Sequence, residues 1–230
     1  MDNRTFYTAV GNLRRKTEGF GQAYPVIVVN RQEYAMDIQE MTVWTALCWR
    51  LLDFKQLENK YEMLAKSSPT PTRTLESCGE RLKTRGLIAS GTGATDFDAL
   101  YDLLSGLYVV PLSESTPLRL ATFLKLVLLK GTPYSKAKVL FEKDNPNDRE
   151  AQVMALSRQA LLSTAELIKC VEVGATDIST DCKLLNALYA DTDTTCDNIR
   201  YMMQDVPSQA PVTMAVANLY LRKQIIFERV

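Results

Sequence analysis

The sequence predicts a mainly α fold with one small β element, and three observations carry that prediction. Apolar residues recur at helical spacing over most of the chain. Strand-like runs are few and short, chiefly Tyr24 to Val29, Leu87 to Ala89 and Leu107 to Val110. Proline, glycine and hydroxyl residues stand where the helical stretches start and stop. With 230 residues, 46% of them hydrophobic, the chain can bury a sizeable core as one large domain or two smaller ones.

Residues 1 to 23 are polar and punctuated by glycine. Their triplet Arg14-Arg15-Lys16 reads as a solvated helix end in preference to an arm that touches phosphates. Tyr24 to Val29 reads as a strand that pairs with Glu33 to Met36 across a turn at Asn30-Arg31-Gln32. Asp37 is placed to cap a helix, with Glu40 three residues on as its capping-box partner. That helix carries Ile38, Met41, Trp44, Cys48, Leu51 and Leu52 on a wide apolar face. A break near Asp53 leads to a second helix with Phe54, Leu57, Tyr61 and Leu64. Ser67-Ser68-Pro69 ends it, because the residue before proline is pushed out of helical geometry.

A third helix is expected from Arg73 to Arg85. At about 100° per residue, Leu75, Cys78, Gly79 and Leu82 fall on one side of it. Arg73, Ser77, Glu80 and Thr84 fall on the other, flanked by Thr74 and Arg81. Gly86 stops the helix and the strand Leu87-Ile88-Ala89 begins at once. Thr95-Asp96-Phe97-Asp98 opens a short helix through Leu104, before the strand Leu107 to Val110.

Beyond a linker at Ser113 to Pro117, every apolar pattern reads as helical: Leu118 to Leu129, Tyr134 to Phe141, a long helix from Pro146 to Val173, then Ser179 to Tyr189, Thr194 to Met203 and Val212 to Phe227. The apolar C-terminal residues should be docked on the core. Asn145-Pro146, followed by Asp148 and Glu150, marks the start of the long helix. One internal echo links Thr84-x-x-Leu87-Ile88 and Gly93-Ala94-Thr95-Asp96 to Thr164-x-x-Leu167-Ile168 and Gly174-Ala175-Thr176-Asp177. It reads as shared helix punctuation more readily than as a duplication.

Composition excludes much chemistry. There is no histidine, which removes Ser-His-Asp and Cys-His schemes and most zinc hydrolases. Five widely spaced cysteines form no CxxC pair, so neither a zinc site nor a disulfide framework is expected. Asp191, Asp193 and Asp197 lack the glycine and closing glutamate of a calcium loop, and Asp193 or Thr194 reads as a helix cap. No secretory signal and no membrane span is visible, and the cytoplasm is the expected compartment. The expectation is a non-enzyme with no cofactor and no metal. Tyr189, Tyr201, Met202, Met203, Met214 and Tyr220 could line a pocket for a small apolar effector, although core is the commoner role for such residues.

Helix, helix, proline-bounded turn, Thr/Arg-rich helix, glycine and strand are the parts of a winged helix-turn-helix. Through Thr72-Arg73-Thr74-Leu75 and Leu82-Lys83-Thr84-Arg85-Gly86-Leu87-Ile88, the chain resembles winged helix-turn-helix transcriptional regulators of MarR or PadR type. The resemblance implies an N-terminal arm and short strand at 1–35, a winged helix-turn-helix domain with a small β wing at 36–112, and an all-helical dimerisation or effector domain at 113–230. It implies a homodimeric regulator that reads double-stranded DNA with helix 70–85, no membrane being involved. Arg73, Thr74 and Ser77 would face bases; Thr70, Thr72, Arg81 and Lys83 would face phosphates, with Thr84 on the same face. Two departures favour an alternative, a winged module that binds protein. The wing tip Ser90-Gly91-Thr92-Gly93-Ala94 carries no cation, and residues 36–112 hold 8 basic against 10 acidic side chains.

Overall fold

The computed structural model describes residues 3–17, 23–65, 73–112, 146–191 and 193–229. The helices expected at Leu118 to Leu129 and Tyr134 to Phe141, and the linker before them, lie outside the described residues.

The described residues are about 49% helix and 22% strand, with three small antiparallel sheets. This corrects the mainly α expectation: the fold is mixed α/β. The first half holds β1 (Arg4–Ala9), β2 (Asn12–Thr17), β3 (Ala23–Val29), β4 (Gln32–Ala35), α1 (Ile38–Leu47), α2 (Phe54–Ala65), α3 (Leu75–Thr84), β5 (Ile88–Gly93) and α4 (Asp96–Ser105). The second holds β6 (Tyr108–Pro111), α5 (Asp148–Gln159), β7 (Leu162–Ser163), α6 (Thr164–Glu172), α7 (Asp181–Tyr189), α8 (Ile199–Met202), α9 (Gln209–Leu221) and β8 (Ile225–Glu228).

The capping boxes expected at Asp37/Glu40 and Thr95/Asp98 both form. So does the hairpin β3–β4, whose turn holds Asn30 at φ 46° and Arg31 at φ 63°. Arg14, Arg15 and Lys16 lie on strand β2 instead of a helix end, and Lys16 pairs with Glu33 at 2.5 Å.

There is no β wing. Strand β5 pairs with β1, while β6 pairs with β7 and β8, so the two strands expected to form the wing belong to different sheets. The second half is not all-helical either. The long helix expected at 146–173 is broken at Leu162–Ser163, where Ser163 caps α6 with Glu166 in a second-half capping box. Its start is capped by Asn147, not Asn145. The helix expected to reach Phe227 ends at Leu221. Lys223 takes φ 61°, and the apolar residues after it form β8, with Ile225 and Phe227 fully buried.

The two halves repeat one plan. Each begins with a strand, β1 or β6, that becomes the centre of a small sheet. In the first half Leu52 bridges to Tyr7 on one side of β1 and β5 pairs on the other; in the second, β7 and β8 flank β6. Three features then recur 110 residues apart. The capping box Asp37/Glu40 matches Asn147/Glu150. The bridging Leu52 matches Leu162, which pairs with Val109. The mutual caps Asp53/Gln56 match Ser163/Glu166. The last helix of each plan, α3 or α9, lies 137 residues apart because α7 and α8 are inserted in the second half. Its end is the same in both: Leu87 N–H donates to the Leu82 carbonyl (2.9 Å), as Gln224 N–H does to that of Leu219 (2.9 Å). Val10 N–H then reaches Leu87, and Leu112 N–H reaches Gln224, both at 2.9 Å. The echo at 84–96 and 164–177 is a different register and is not structural: Thr84 ends a helix, whereas Thr164 begins one.

One core runs through both halves, from Val10, Ile27 and Leu47 to Leu167, Val216 and Phe227. Tyr220 stitches them together. Its hydroxyl accepts the Trp49 N–H (3.0 Å) and lies 2.9 Å from Thr8 Oγ1 and 3.3 Å from the Ala9 carbonyl.

Candidate functional site

The helix expected to read DNA forms as α3, with Thr74 as its N-cap accepting the Ser77 N–H at 3.2 Å. Its sidedness is as expected: Cys78 and Leu82 are fully buried, whereas Ser77, Glu80 and Thr84 are exposed. Thr84 spends its hydroxyl on the Glu80 carbonyl (2.8 Å) and Lys83 projects to solvent. Thr70 and Thr72 lie outside the described residues.

The arginines do something else. Glu40 is only 2% exposed and lies on the same face of α1 as the buried Val43, Trp44 and Leu47. A carboxylate taken that far out of water needs cations or donors. Arg81 Nε meets its Oε1 at 2.9 Å, Arg85 meets its Oε2 at 3.0 Å, and Arg73 lies 3.8 Å from Oε1. Arg73 also pairs with Asp37 at 2.7 Å. Burial pushes the Asp37 carboxyl up, but the Glu40 N–H and the Arg73 guanidinium outweigh it and hold the group below the usual carboxylate range. Arg85 further donates to the Ala35 carbonyl (2.6 Å) and stacks over Tyr34, 5.7 Å from the ring centroid. Arg73 and Arg81 are therefore directed back onto α1.

The signal for this cluster was present in the sequence. Glu40 falls on the apolar stripe of its helix, and a charge there calls for partners that Arg81 and Arg85, four residues apart, supply. The repeat shows the same device once more. Glu150, fully buried, accepts from Arg222 (2.9 Å) and Asn218 (3.2 Å), again four residues apart on the last helix.

Beside Asp37 runs an apolar groove of about 390 Å³, whose walls include Pro25, Met36, Ile38, Met41 and Leu64. Ile38 is 64% exposed there. The six residues considered as an effector pocket are not gathered. Tyr201, Met202 and Met214 are exposed, Met203 is buried, Tyr189 reaches Glu166 at 3.4 Å, and Tyr220 lies in the core. Among the acidic trio, Asp191 binds Lys169 and the Thr194 N–H, and the next helical turn is capped by the pair Thr195/Asn198. No group of side chains suited to hold a metal occurs among the described residues, and none of their helices is long and apolar enough to cross a membrane. Comparison with protein families, with curated proteins and with solved structures finds no match to this chain.

Proposed function

We propose that this chain is a protein-binding module and not a reader of duplex DNA. The observation that carries the proposal is the inward pairing of Arg73, Arg81 and Arg85 with Asp37 and Glu40. The exposed side chains of α3 are Glu76, Ser77, Glu80, Arg81, Lys83 and Thr84, two acids against two bases, and one of those bases, Arg81, is already paired with Glu40. Phosphate contact by such a face releases few counterions. The groove beside Ile38 offers the opposite chemistry, exposed apolar side chains suited to an amphipathic helix or an extended apolar segment. A second copy of this chain is one such partner. The five cysteines are all unpaired, which suits a reducing compartment such as the cytoplasm.

Binding of a random duplex, followed by fluorescence anisotropy at about 50 and about 200 mM salt, tests the negative half. The expectation is no retention at either salt. Retention that falls steeply with salt, and whose slope flattens in Lys83→Ala and Arg81→Ala, returns the chain to the DNA-reading class. Selection of displayed random peptides tests the positive half: sequences enriched on the native chain should be lost on Ile38→Asp.

A further inference from the structure

We propose that the cleft between the two repeats binds an organic carboxylate with an aromatic or branched apolar body. The cleft has a volume of about 400 Å³, within the range of small-molecule sites. Trp44, Trp49, Tyr220, Leu13 and Ile226 give it apolar walls. Trp44 and Trp49 are both of the tryptophans in the chain. Its charged lining residues are Arg50 and Lys223, with no carboxylate among them. An apolar enclosure with unbalanced positive charge selects an anion that carries its own apolar surface.

The backbone gives a second, independent observation. Trp49 follows the last turn of α1 at φ 53°, and Lys223 follows the last turn of α9 at φ 61°. Glycine is the residue that suits this left-handed position, and it stands there after α3 (Gly86, φ 71°) and α6 (Gly174, φ 71°). A bulky side chain at positive φ is rare and strained. Among the described residues, the two left-handed helix ends without glycine are the two that line this cleft, and their side chains meet, with Lys223 Nζ 5.7 Å from the Trp49 ring centroid.

The wall is also held in place before any ligand arrives. Trp49 donates its indole N–H to the Ile225 carbonyl at 3.2 Å and its backbone N–H to Tyr220. Arg50 is pinned across the end of α1, donating to the carbonyls of Thr45, Ala46 and Cys48 at 3.2 to 3.4 Å. Burial pushes the Cys48 thiol up to about 11, so it lines the cleft as a neutral group at pH 7. Lys223 is the exposed member, and its ammonium, held over the face of Trp49, is placed to meet a carboxylate at the mouth. The proposal does not depend on whether a protein partner occupies the groove at Ile38.

Because both tryptophans line the cleft, intrinsic fluorescence reads its occupancy directly. Titration of the full chain with 4-phenylbutyrate should give a saturable change, at least about tenfold tighter than with 4-phenylbutan-1-ol, the uncharged counterpart. Lys223→Gly separates a binding role from a structural one, since glycine fits φ 61°. Its melting temperature should match or exceed that of the native chain while the preference for the acid over the alcohol disappears. No saturable change with either compound up to millimolar concentration overturns the proposal. Equal affinity for acid and alcohol overturns it too, as does a preference for the acid that survives in a folded Lys223→Gly.

Discussion

The two repeats solve one problem with different resources. Each buries a glutamate at the third position of its first described helix, and each answers it from the end of its last helix. In the first repeat Glu40 has Arg81, Arg85 and, more distantly, Arg73. In the second, Glu150 has one cation among the described residues, Arg222, with Asn218 as a neutral donor. The capping role of the glutamate is identical in both, so the geometry of the clamp does not depend on how many charges close it. The number of partners instead sets how much the loss of any single one costs.

That contrast is open to direct attack. The largest effect is expected where the repeats differ most in backbone packing. In the first, α4 lies against β5 at Gly91, where an added Cβ would come within 2.6 Å of the Ala99 carbonyl and run into the Leu103 backbone. Gly91→Ala should cost about 3 kcal/mol or more, measured by urea denaturation. The corresponding place on β8 is Glu228, which already carries a side chain there and accepts the Asn30 N–H at 2.9 Å, so alanine should cost only about 1 kcal/mol. Arg222→Ala comes next. It leaves a buried carboxylate with only neutral donors among the described residues, the Asn218 amide and the Asn147 N–H, and should cost about 3 kcal/mol. Arg81→Ala leaves Arg85 on Glu40 and should cost about 1 kcal/mol or less. If the two arginine variants lose equal stability, the comparison fails. Third, Gly86→Lys should cost about 1 kcal/mol, because among the described residues an added Cβ there would meet nothing nearer than Arg229 Cδ at 3.9 Å and the penalty is that of the backbone alone. The smallest effect is a pH dependence carried by Asp37 of the first clamp. The folded pKa of Asp37 is depressed, so its contribution is present above the unfolded aspartate pKa, about 3.9, and is lost as pH falls through the folded value. Asp37→Asn should flatten the stability curve below about pH 4, whereas Asn147→Ala should not change its shape.

Local chemistry was legible in the sequence and long-range pairing was not. The caps at Asp37 and Thr95 were readable because a capping box is complete within four residues. The strands at 88 and 108 were readable for their apolar runs, but nothing local says that β1 takes the edge of β5 or that β8 takes that of β6. β1 itself, Arg4 to Ala9, holds two adjacent aromatics between two threonines, too short a run to stand out in a polar N-terminus. The end of α9 was invisible for another reason. Lys223 adopts the conformation that normally announces itself as glycine, so the helical apolar pattern seemed to run on into Phe227. Of the candidate site, the sidedness of α3 could be read and the fate of its arginines could not, although Glu40 on the apolar stripe was the clue. The repeat was hidden by its insertion: Val43/Val153, Leu52/Leu162 and Leu57/Leu167 keep one offset, and the last helix then abandons it.

The central position of β6 has a consequence for the order in which the chain completes itself during synthesis. The first sheet has all its strands once Gly93 has emerged. β6 emerges shortly afterwards, yet its partners at Leu162 and at Ile225 to Glu228 are made far later. Until then a strand with two unsatisfied edges, Tyr108-Val109-Val110-Pro111, waits beside a finished neighbour. The nascent chain therefore passes through a long half-built stage in which that strand is open to capture by a chaperone or by another nascent chain.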